Sequence, residues 1–337
     1  MRSRRSAAIS LIAPLVLLAA CGDDGSSPEP TIPPGALEIV SGDNQQGTVG
    51  AELAQPIAVR VLDADGKPMR GRVVSFFITA GGGSTASESR TTGDDGVVRA
   101  RWTLGPTAGA PQTVRAETPG AAGQPLTVAF SATSVAGTAS KVVLVSGDAQ
   151  SATVATTLPQ PIVVRVTDAY DNALSGITVD FSTAAGSIAP ASAVTDASGL
   201  ASAQWTLDTI AGAQSGSASG TGLTAATFGA TATPGAPSRI LKVSGDGQTG
   251  RAFQPLAQPL VARVIDVYGN AVPGAPVQWS TCASCGTLAT SGTVTDAAGL
   301  AQATWTLGAA GSYNTATGAR VALPSQEATI FSAMATP

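Results

Sequence analysis

The residue types that usually carry catalysis are scarce in this chain of 337 residues. It contains no His and only three Cys, at positions 21, 282 and 285. Without His the chain lacks the usual general base, the commonest metal ligand and every Ser–His or Cys–His nucleophile pair. No glycine-rich phosphate loop leads from a strand into a helix, and no spaced pair of carboxylates stands out. The sequence therefore predicts a protein that is not an enzyme and that needs no cofactor or metal.

Cys21 closes a segment that is typical of an export signal. A basic stretch with three Arg precedes an apolar run over residues 7–20, which is too short to span a ~30 Å hydrocarbon core comfortably. The end of this run, Leu18-Ala19-Ala20-Cys21, resembles the lipobox of bacterial lipoproteins, and the resemblance implies cleavage before Cys21 and acylation of that residue. The alternative is an ordinary secretory signal followed by a chance Cys. We expect residues 1–20 to be a lipoprotein signal peptide.

A flexible tether follows this cysteine. Residues 22–35 are rich in Gly, Ser, Pro and acid and show no periodic apolar pattern, so residues 21–35 are expected to form a lipidated Cys and an extended tether. At ~3.1 Å per residue this tether reaches roughly 40 Å. Gly22 rather than Asp follows Cys21, which resembles the sorting pattern of outer-membrane lipoproteins. We therefore expect a lipid-anchored protein of the cell envelope, on the outer membrane.

The other two cysteines, Cys282 and Cys285, are three positions apart in a turn after a strand that ends near Ser280. An exported chain meets an oxidising compartment, and two Cys at this spacing can place their Cα atoms within the ~4.4 to 6.8 Å that a disulfide needs. A redox pair would normally open a helix, and a zinc site would need two more ligands. The sequence predicts a structural disulfide, with the redox and zinc alternatives left open.

Three acidic turns lie at matching places along the chain, at residues 63–66, 168–172 and 266–270. Their carboxylates suit Ca²⁺, which takes about six to eight oxygen ligands, but Asp and Asn also stabilise turns through their own backbone hydrogen bonds. We expect the ion-free turn and assign no metal ligand. Tyr170 and Tyr268 occupy equivalent places in two of these turns. Each either caps the end of a core or stacks on a sugar ring, so both are candidate ligand contacts.

The elements that must position these residues repeat three times. Two tripeptides recur at spacings of about 100 residues, which predicts three tandem domains. The tripeptides are Ser-Gly-Asp at 41–43, 146–148 and 244–246, and Trp-Thr-Leu at 102–104, 205–207 and 305–307. We place the domains at 36–135, 138–234 and 236–337, joined by short links that keep the array semi-rigid.

Within each copy apolar and polar residues alternate, which is typical of a half-buried strand. In residues 201–207, for example, Trp205 lies on the apolar phase and Gln204 on the polar phase. Turn clusters rich in Gly, Asp and Ser separate the strands, as in a β-sandwich. The large aromatic residues on the apolar phase form the predicted core: Phe76, Trp102, Phe181, Trp205, Trp279 and Trp305.

A spaced pattern of apolar residues, Asp, Asn and Gly recurs in the first half of each copy. It consists of Val61, Asp63, Gly66, Pro68, Gly71, Val74 and Phe76 in the first copy, Val166, Asp168, Asn172, Gly176, Val179 and Phe181 in the second, and Val264, Asp266, Gly269, Asn270, Val272, Gly274, Val277 and Trp279 in the third. In the second half, Thr-Asp-x-x-Gly occurs at 195–199 and 295–299, whereas the first copy has Thr92-Gly93 there. The pattern resembles bacterial immunoglobulin-like (Ig-like) domains of the invasin and intimin type (group 1). This resemblance implies an all-β fold of three tandem Ig-like β-sandwiches, used as stalks, spacers or adhesive tips.

The net charge of the chain and its resemblance to bacterial Ig-like domains together limit the classes of function. The net charge of −4 argues against electrostatic binding of nucleic acid or anionic lipid headgroups. We predict a non-enzymatic envelope lipoprotein whose Ig-like stalk presents a distal tip for adhesion or envelope assembly. Its partners would be the membrane, through Cys21, and a protein or polysaccharide of the envelope or of a host or neighbouring surface. The alternative is a module that binds polysaccharide or another ligand with the end loops of the third domain, which alone has Cys282, Cys285 and Trp279.

Overall fold

The computed structural model describes residues 32–86, 89–310, 313–316, 320–321 and 329–337. Within these ranges the chain forms thirty β-strands and one turn of 3-10 helix, Ala121–Gly123. None of the helical structure found there is long and apolar enough to cross a membrane. The all-β class predicted from the sequence is confirmed.

The first group of strands packs two sheets face to face. Its strands are β1 (Ala36–Ser41), β2 (Gln45–Thr48), β3 (Ile57–Leu62), β4 (Val73–Ala80), β5 (Ser84–Thr85), β6 (Ser89–Thr91), β7 (Val97–Ala100), β8 (Trp102–Thr103), β9 (Gln112–Pro119) and β10 (Pro125–Val135). One sheet has the order β1-β3-β7 and the other the order β2-β10-β9-β4-β6, while β5 and β8 form a short extra pair. Neighbouring strands run antiparallel except β2 and β10, which are parallel.

The second group repeats this arrangement. Its strands are β11 (Lys141–Ser146), β12 (Gln150–Thr153), β13 (Ile162–Thr167), β14 (Thr178–Thr183), β15 (Ser187–Ala189), β16 (Ser192–Val194), β17 (Leu200–Thr206), β18 (Gly212–Ser219) and β19 (Ala226–Thr233). The sheets have the orders β11-β13-β17-β15 and β12-β19-β18-β14-β16. The strands β12 and β19 again pair in parallel, so the two groups share one topology.

The third group follows the same plan with shorter strands. These are β20 (Arg239–Ser244), β21 (Gln248–Arg251), β22 (Leu260–Ile265), β23 (Pro276–Gln278), β24 (Gly286–Leu288), β25 (Gly292–Val294), β26 (Leu300–Ala303), β27 (Trp305–Leu307), β28 (Tyr313–Ala316), β29 (Arg320–Val321) and β30 (Phe331–Thr336). One sheet has the order β20-β22-β26, and the counterpart of the five-stranded sheet is divided into β21-β30-β28 and β25-β23-β29. A further pair joins β24 to β27.

Each group encloses its own core around one tryptophan. Trp102, Trp205 and Trp305 are completely buried, each in a separate cluster of apolar side chains. Many of the surrounding residues are Val and Ala, whose small side chains let the two sheets close around the large indole. All six aromatic residues of the predicted core are buried.

A tight corner explains the recurring Ser-Gly-Asp tripeptide. Gly42 has a φ of +89°, and a side chain there would run into the carbonyl of Pro56. The Gln45 side chain bridges this corner: its Nε2 donates to the carbonyls of Gly42 and Gln55 (both 2.8 Å), and its Oε1 accepts the Gln55 N–H (2.9 Å). Gln150 and Gln248 make the same bridges in the other groups. The corner carries the chain from one sheet to the other.

Candidate functional site

The acidic turn of the second group lies at the joint with the first group. Asp168 Oδ1 accepts the backbone N–H groups of Tyr170 (2.8 Å) and Asn172 (2.9 Å), which closes the turn on itself as the sequence predicts. Asp168 Oδ2 accepts the N–H of Gly137 (2.8 Å), which belongs to the link between the groups. One buried carboxylate therefore ties the turn to the link.

Asn172 reaches across this joint. Its Nδ2 donates to the carbonyl of Pro106 (2.8 Å), and its Oδ1 accepts the N–H of Ala108 (2.8 Å), both in a loop of the first group. Nδ2 also donates to Asp168 Oδ2 (2.9 Å). Because an amide side chain offers a donor and an acceptor in fixed relative positions, the two bonds to the loop define the orientation of the turn as well as its distance.

The joint between the second and third groups repeats these contacts. Asp266 Oδ2 accepts the N–H of Gly235 (2.9 Å) in the link. Asn270 Nδ2 donates to the carbonyl of Thr209 (2.8 Å), and Asn270 Oδ1 accepts the N–H of Ala211 (2.9 Å). We call the pairs Asp168–Asn172 and Asp266–Asn270 the Asp–Asn clamps.

The clamps hold ionised carboxylates away from solvent. Burial alone would raise the pKa of Asp168, but the hydrogen bonds from Gly137, Asn172 and Tyr170 outweigh it and hold this pKa below its ordinary value of 3.8. The pKa of Asp266 is lowered for the same reasons. A cation site needs free oxygen ligands, whereas both oxygens of each carboxylate face N–H donors. Across the described ranges, no group of His, Cys, Asp or Glu side chains is arranged to hold a metal ion.

The two tyrosines of these turns are half-exposed and stand beside the joints. The ring of Tyr170 packs on Gly50 of the first group, so closely that any side chain at Gly50 would overlap its hydroxyl end. Tyr170 thus lies against the neighbouring group instead of capping its own core. Tyr268 holds the equivalent place in the third group with a similar exposure.

The first group carries the turn without the clamp. Asp63 Oδ1 accepts the N–H groups of Asp65 (2.9 Å) and Lys67 (2.8 Å), as in the other two turns. Lys67, however, takes the place of the asparagine and is exposed. A lysine has no acceptor, so this turn lacks the side chain that fixes the later groups to their predecessors.

The predicted cysteine pair is joined at the end of the third group that lies away from its joint with the second group; we call this the far end. Cys282 and Cys285 form a disulfide with their Cα atoms 5.1 Å apart. Trp305 Nε1 donates to the carbonyl of Cys285 (3.0 Å), which anchors the loop on the core. The loop also lies against Gly308, where a side chain would overlap the carbonyl of Ser284. Gly308 lies in the loop that follows Trp305. The corresponding loops of the first two groups are the ones that bind Asn172 and Asn270.

Phe253 at the same end was not anticipated from the sequence. It has a φ of +64° and is 70% exposed, and its N–H donates to the carbonyl of Leu307 (3.1 Å). Gly50 (φ +68°) and Ala155 (φ +58°) are its counterparts. A bulky residue in this left-handed region is strained, and such strain is often kept where it serves a function. An alignment of the three copies reveals that the side chain grows from Gly50 and Ala155 to Phe253, but the alternating apolar pattern alone does not.

The remaining predicted site residue, Cys21, lies outside the described residues. Its acylation, the signal peptide and the tether up to residue 31 therefore stay predictions.

One family model matches part of the chain. Residues 257–331 match the family of bacterial Ig-like domains (group 1), which confirms the resemblance for the third copy. No curated protein matches the chain.

Several solved structures show a partial similarity to the chain. FdeC, an Escherichia coli adhesin, is 17% identical with a TM-score of 0.43, over 88% of this chain and 96% of FdeC. Invasin, a bacterial integrin-binding protein, is 20% identical with a TM-score of 0.42, over 85% of this chain and 57% of invasin. InvD of Yersinia pseudotuberculosis is 15% identical with a TM-score of 0.40, over 90% of this chain and 98% of InvD.

Proposed function

We propose that all three strand groups are bacterial Ig-like domains of group 1, as the family match over residues 257–331 indicates for the third group. We further propose that the chain is a non-enzymatic, adhesin-type protein of the cell envelope. The domains would span residues 36–135, 138–234 and 236–337. Together they form a semi-rigid stalk that presents the far end of the third domain. The partner is a protein or polysaccharide of the envelope or of an opposing surface.

The observation that carries this proposal is the repetition of the Asp–Asn clamp. Each joint uses the same three hydrogen bonds between one group and its predecessor or link. The links themselves are short, since β10 ends at Val135 and β11 begins at Lys141. Domains that merely share a chain move relative to one another, so fixed joints favour a role that depends on distance and direction.

The length of such an array suits a stalk. Sandwich strands of about seven to nine residues at ~3.3 Å each, with their loops, give a domain roughly 35 Å long, and three in line extend roughly 100 Å. The tether at residues 21–35 would add its own reach between the membrane and the first domain.

Lipid anchoring at Cys21 is the second part of the proposal. Two or three acyl chains hold a protein on a membrane stably, at ~0.8 kcal/mol per buried CH₂. Metabolic labelling with a fatty-acid probe should mark the parent chain and leave Cys21→Ser unlabelled. A labelled Cys21→Ser variant would rule out the anchor.

The role of the far end is tested with cells that display the full chain and adhere to a layer of partner cells. Phe253→Gly installs the residue that the first group has at this place, so it should relieve backbone strain and preserve the fold while removing the exposed ring. We expect adhesion to fall several-fold. Val143→Ser removes an exposed apolar side chain on an outer sheet face of the second group and serves as the matched control. Equal adhesion of the Phe253→Gly variant and the parent would contradict an adhesive far end.

The stalk role is tested by deleting residues 138–235. The deletion brings Gly137 to the place of Gly235, and Pro106 and Ala108 to the places of Thr209 and Ala211, so the remaining joint keeps every clamp partner. We expect reduced adhesion from lost reach, and recovery when a copy of the first domain is inserted. Failure of the inserted copy to restore adhesion would show that the second domain itself binds the partner.

A second candidate function is polysaccharide binding by the same end loops. The exposed ring of Phe253 favours it, because an aromatic face can stack on a sugar ring. Soluble oligosaccharides that compete with adhesion would favour this candidate over a protein partner.

A further inference from the structure

The cations of this chain are concentrated in the first strand group. Residues 36–135 contain eight Lys and Arg, against two in residues 138–234 and five in residues 236–337. The negative charge of the whole chain conceals this distribution, and an argument from net charge does not apply to a local surface.

Part of this charge is neutralised by ion pairs on the surface. Three arginines of the first group have carboxylate partners: Arg70 with Asp94 (2.8 Å), Arg101 with Glu52 (2.7 Å) and Arg115 with Glu117 (3.0 Å). Of the other four, Arg72 donates to the carbonyl of Ile32. Arg60, Arg90 and Arg99 have no carboxylate within 4.0 Å among the residues that the structure describes.

Two of these three arginines line one groove. Arg90 on β6 and Arg99 on β7 border a cavity of about 450 Å³ at the edge where the two sheets meet. Thr91 adds a hydroxyl to the wall, and Val97 and Val98 lie beneath it, each only 5% exposed. We call this cavity the arginine groove.

Arg60 stands next to the arginine groove on β3. It lies opposite Val97, while Arg99 lies opposite Ala58, so the two arginines are diagonal neighbours on the outer face of the sheet. The Nε of Arg60 is buried and has no hydrogen-bond partner in the described part of the chain.

The acidic residues that the structure describes around the groove are already engaged or lie to one side. Asp94 pairs with Arg70, and Asp95 accepts the N–H of Val97 (3.0 Å). Glu38 on β1 is opposite Arg60 in the sheet, on the side away from β7. None of these carboxylates therefore takes up the guanidinium donors of Arg90 and Arg99.

The third strand group provides an internal comparison. A cavity of about 360 Å³ occupies the same edge there, but Thr293 and Gln302 stand where the first group has Arg90 and Arg99, and Asp296 joins the lining. The sandwich thus forms this edge cavity without arginines, and the fold does not require them.

We infer that the arginine groove binds a sugar unit that carries a carboxylate or phosphate group, as part of an acidic polysaccharide. Arginine forks grip planar and tetrahedral oxyanions through paired hydrogen bonds. A lipid surface is a poorer fit, because an extended layer of anionic headgroups meets the net negative charge of the whole chain, whereas one acidic sugar unit meets only the arginines. This site is separate from the far end of the third group and does not depend on the proposed function.

The test uses the full chain, purified in a neutral detergent, and measures binding by calorimetry at two salt concentrations. The probes are tetragalacturonate for the carboxylate, a phosphorylated mannose oligosaccharide for the phosphate, and maltotetraose as the neutral control. The variant Arg90→Thr/Arg99→Gln carries the residues that the third group has at these places, so its fold should be retained, as circular dichroism will verify. The variant Arg239→Thr/Arg251→Gln removes the same charge from exposed positions elsewhere.

We expect one or both acidic probes to bind, more weakly at higher salt, and the groove variant to bind at least tenfold more weakly than the parent. The charge-matched variant should bind like the parent, and maltotetraose should not bind. Failure of both acidic probes to bind, or an equal loss in the two variants, would overturn the inference. Binding to phosphatidylglycerol vesicles that depends on Arg90 and Arg99, with no binding of either oligosaccharide, would assign the groove to a membrane instead.

Discussion

The Oδ1 atom of Asn172 accepts the backbone N–H of Ala108 at 2.8 Å, although 64 residues separate the two along the chain. The same relationship joins Asn270 to Ala211. In both cases the asparagine belongs to a turn that its own group closes with an aspartate, so one side chain couples local turn geometry to the placement of the preceding group.

Replacing both clamp asparagines should loosen the array without unfolding the groups. In Asn172→Ala/Asn270→Ala each joint loses two hydrogen bonds of about 1 kcal/mol each, while the three cores stay intact. Small-angle X-ray scattering should show a broader distribution of distances, with little change in thermal melting. Gln46→Ala, on an exposed strand position, is the control. An unchanged scattering profile would show that the clamps do not hold the joints.

The joints should also weaken in acid. The pKa values of Asp168 and Asp266 are lower in the folded chain than their ordinary value of 3.8. Their contribution to stability is therefore present above that value and is lost as the pH falls through it towards the lowered folded pKa. Scattering measured from pH 7 to pH 3 should show the array loosening only at the acidic end. In Asp168→Asn/Asp266→Asn this acid-dependent step should disappear, and its persistence would point to other carboxylates.

Trp205→Ala should destabilise the second group by roughly 3 to 5 kcal/mol, because it empties the centre of a sandwich built largely from Ala and Val. Gln204→Ala should cost only about 1 kcal/mol: this neighbouring side chain is half-buried and donates a single hydrogen bond to the carbonyl of Leu158. Urea unfolding measures both effects. Equal costs would show that the inward phase of Trp205 and the outward phase of Gln204 are wrongly assigned.

Reduction of the disulfide should change little in the fold. The loop closed by Cys282 and Cys285 is very short, and the stabilisation from restricting the unfolded chain grows with loop length. In a Cys21→Ser background, thiol titration of the native protein should find no free sulfur, and a reducing agent should barely shift the melting temperature. Two reactive thiols before reduction would contradict this assignment.

The period-two alternation was sufficient to predict that the three repeated tryptophans are buried. Trp102, Trp205 and Trp305 follow it because a strand sends successive side chains to opposite faces. The closing of each acidic turn by its own aspartate was also predictable, since that bond is local. The partner of Asn172 was not, because it depends on how two separately folded groups are placed.

Two further features escaped prediction for different physical reasons. Phe253 carries no local signal of a left-handed backbone, which sequence patterns associate with Gly and Asn. The arginine groove depends on which of the arginines find acids across strands and turns, and only the folded arrangement decides that. Arg99 and Arg101 are two positions apart on one face, yet of these two the structure pairs only Arg101 with a carboxylate.

The parallel pairing of β2 with β10 also has a mechanical consequence. Gln45 to Thr48 lie beside Ala132 to Val135, and the same four-residue pairing recurs between β12 and β19 and between β21 and β30. In a chain pulled between its anchor and its far end, tension would act on these two strands in opposite directions along their length. All the hydrogen bonds between them would then bear shear at once instead of opening one after another, so each group would resist extension before its core is exposed.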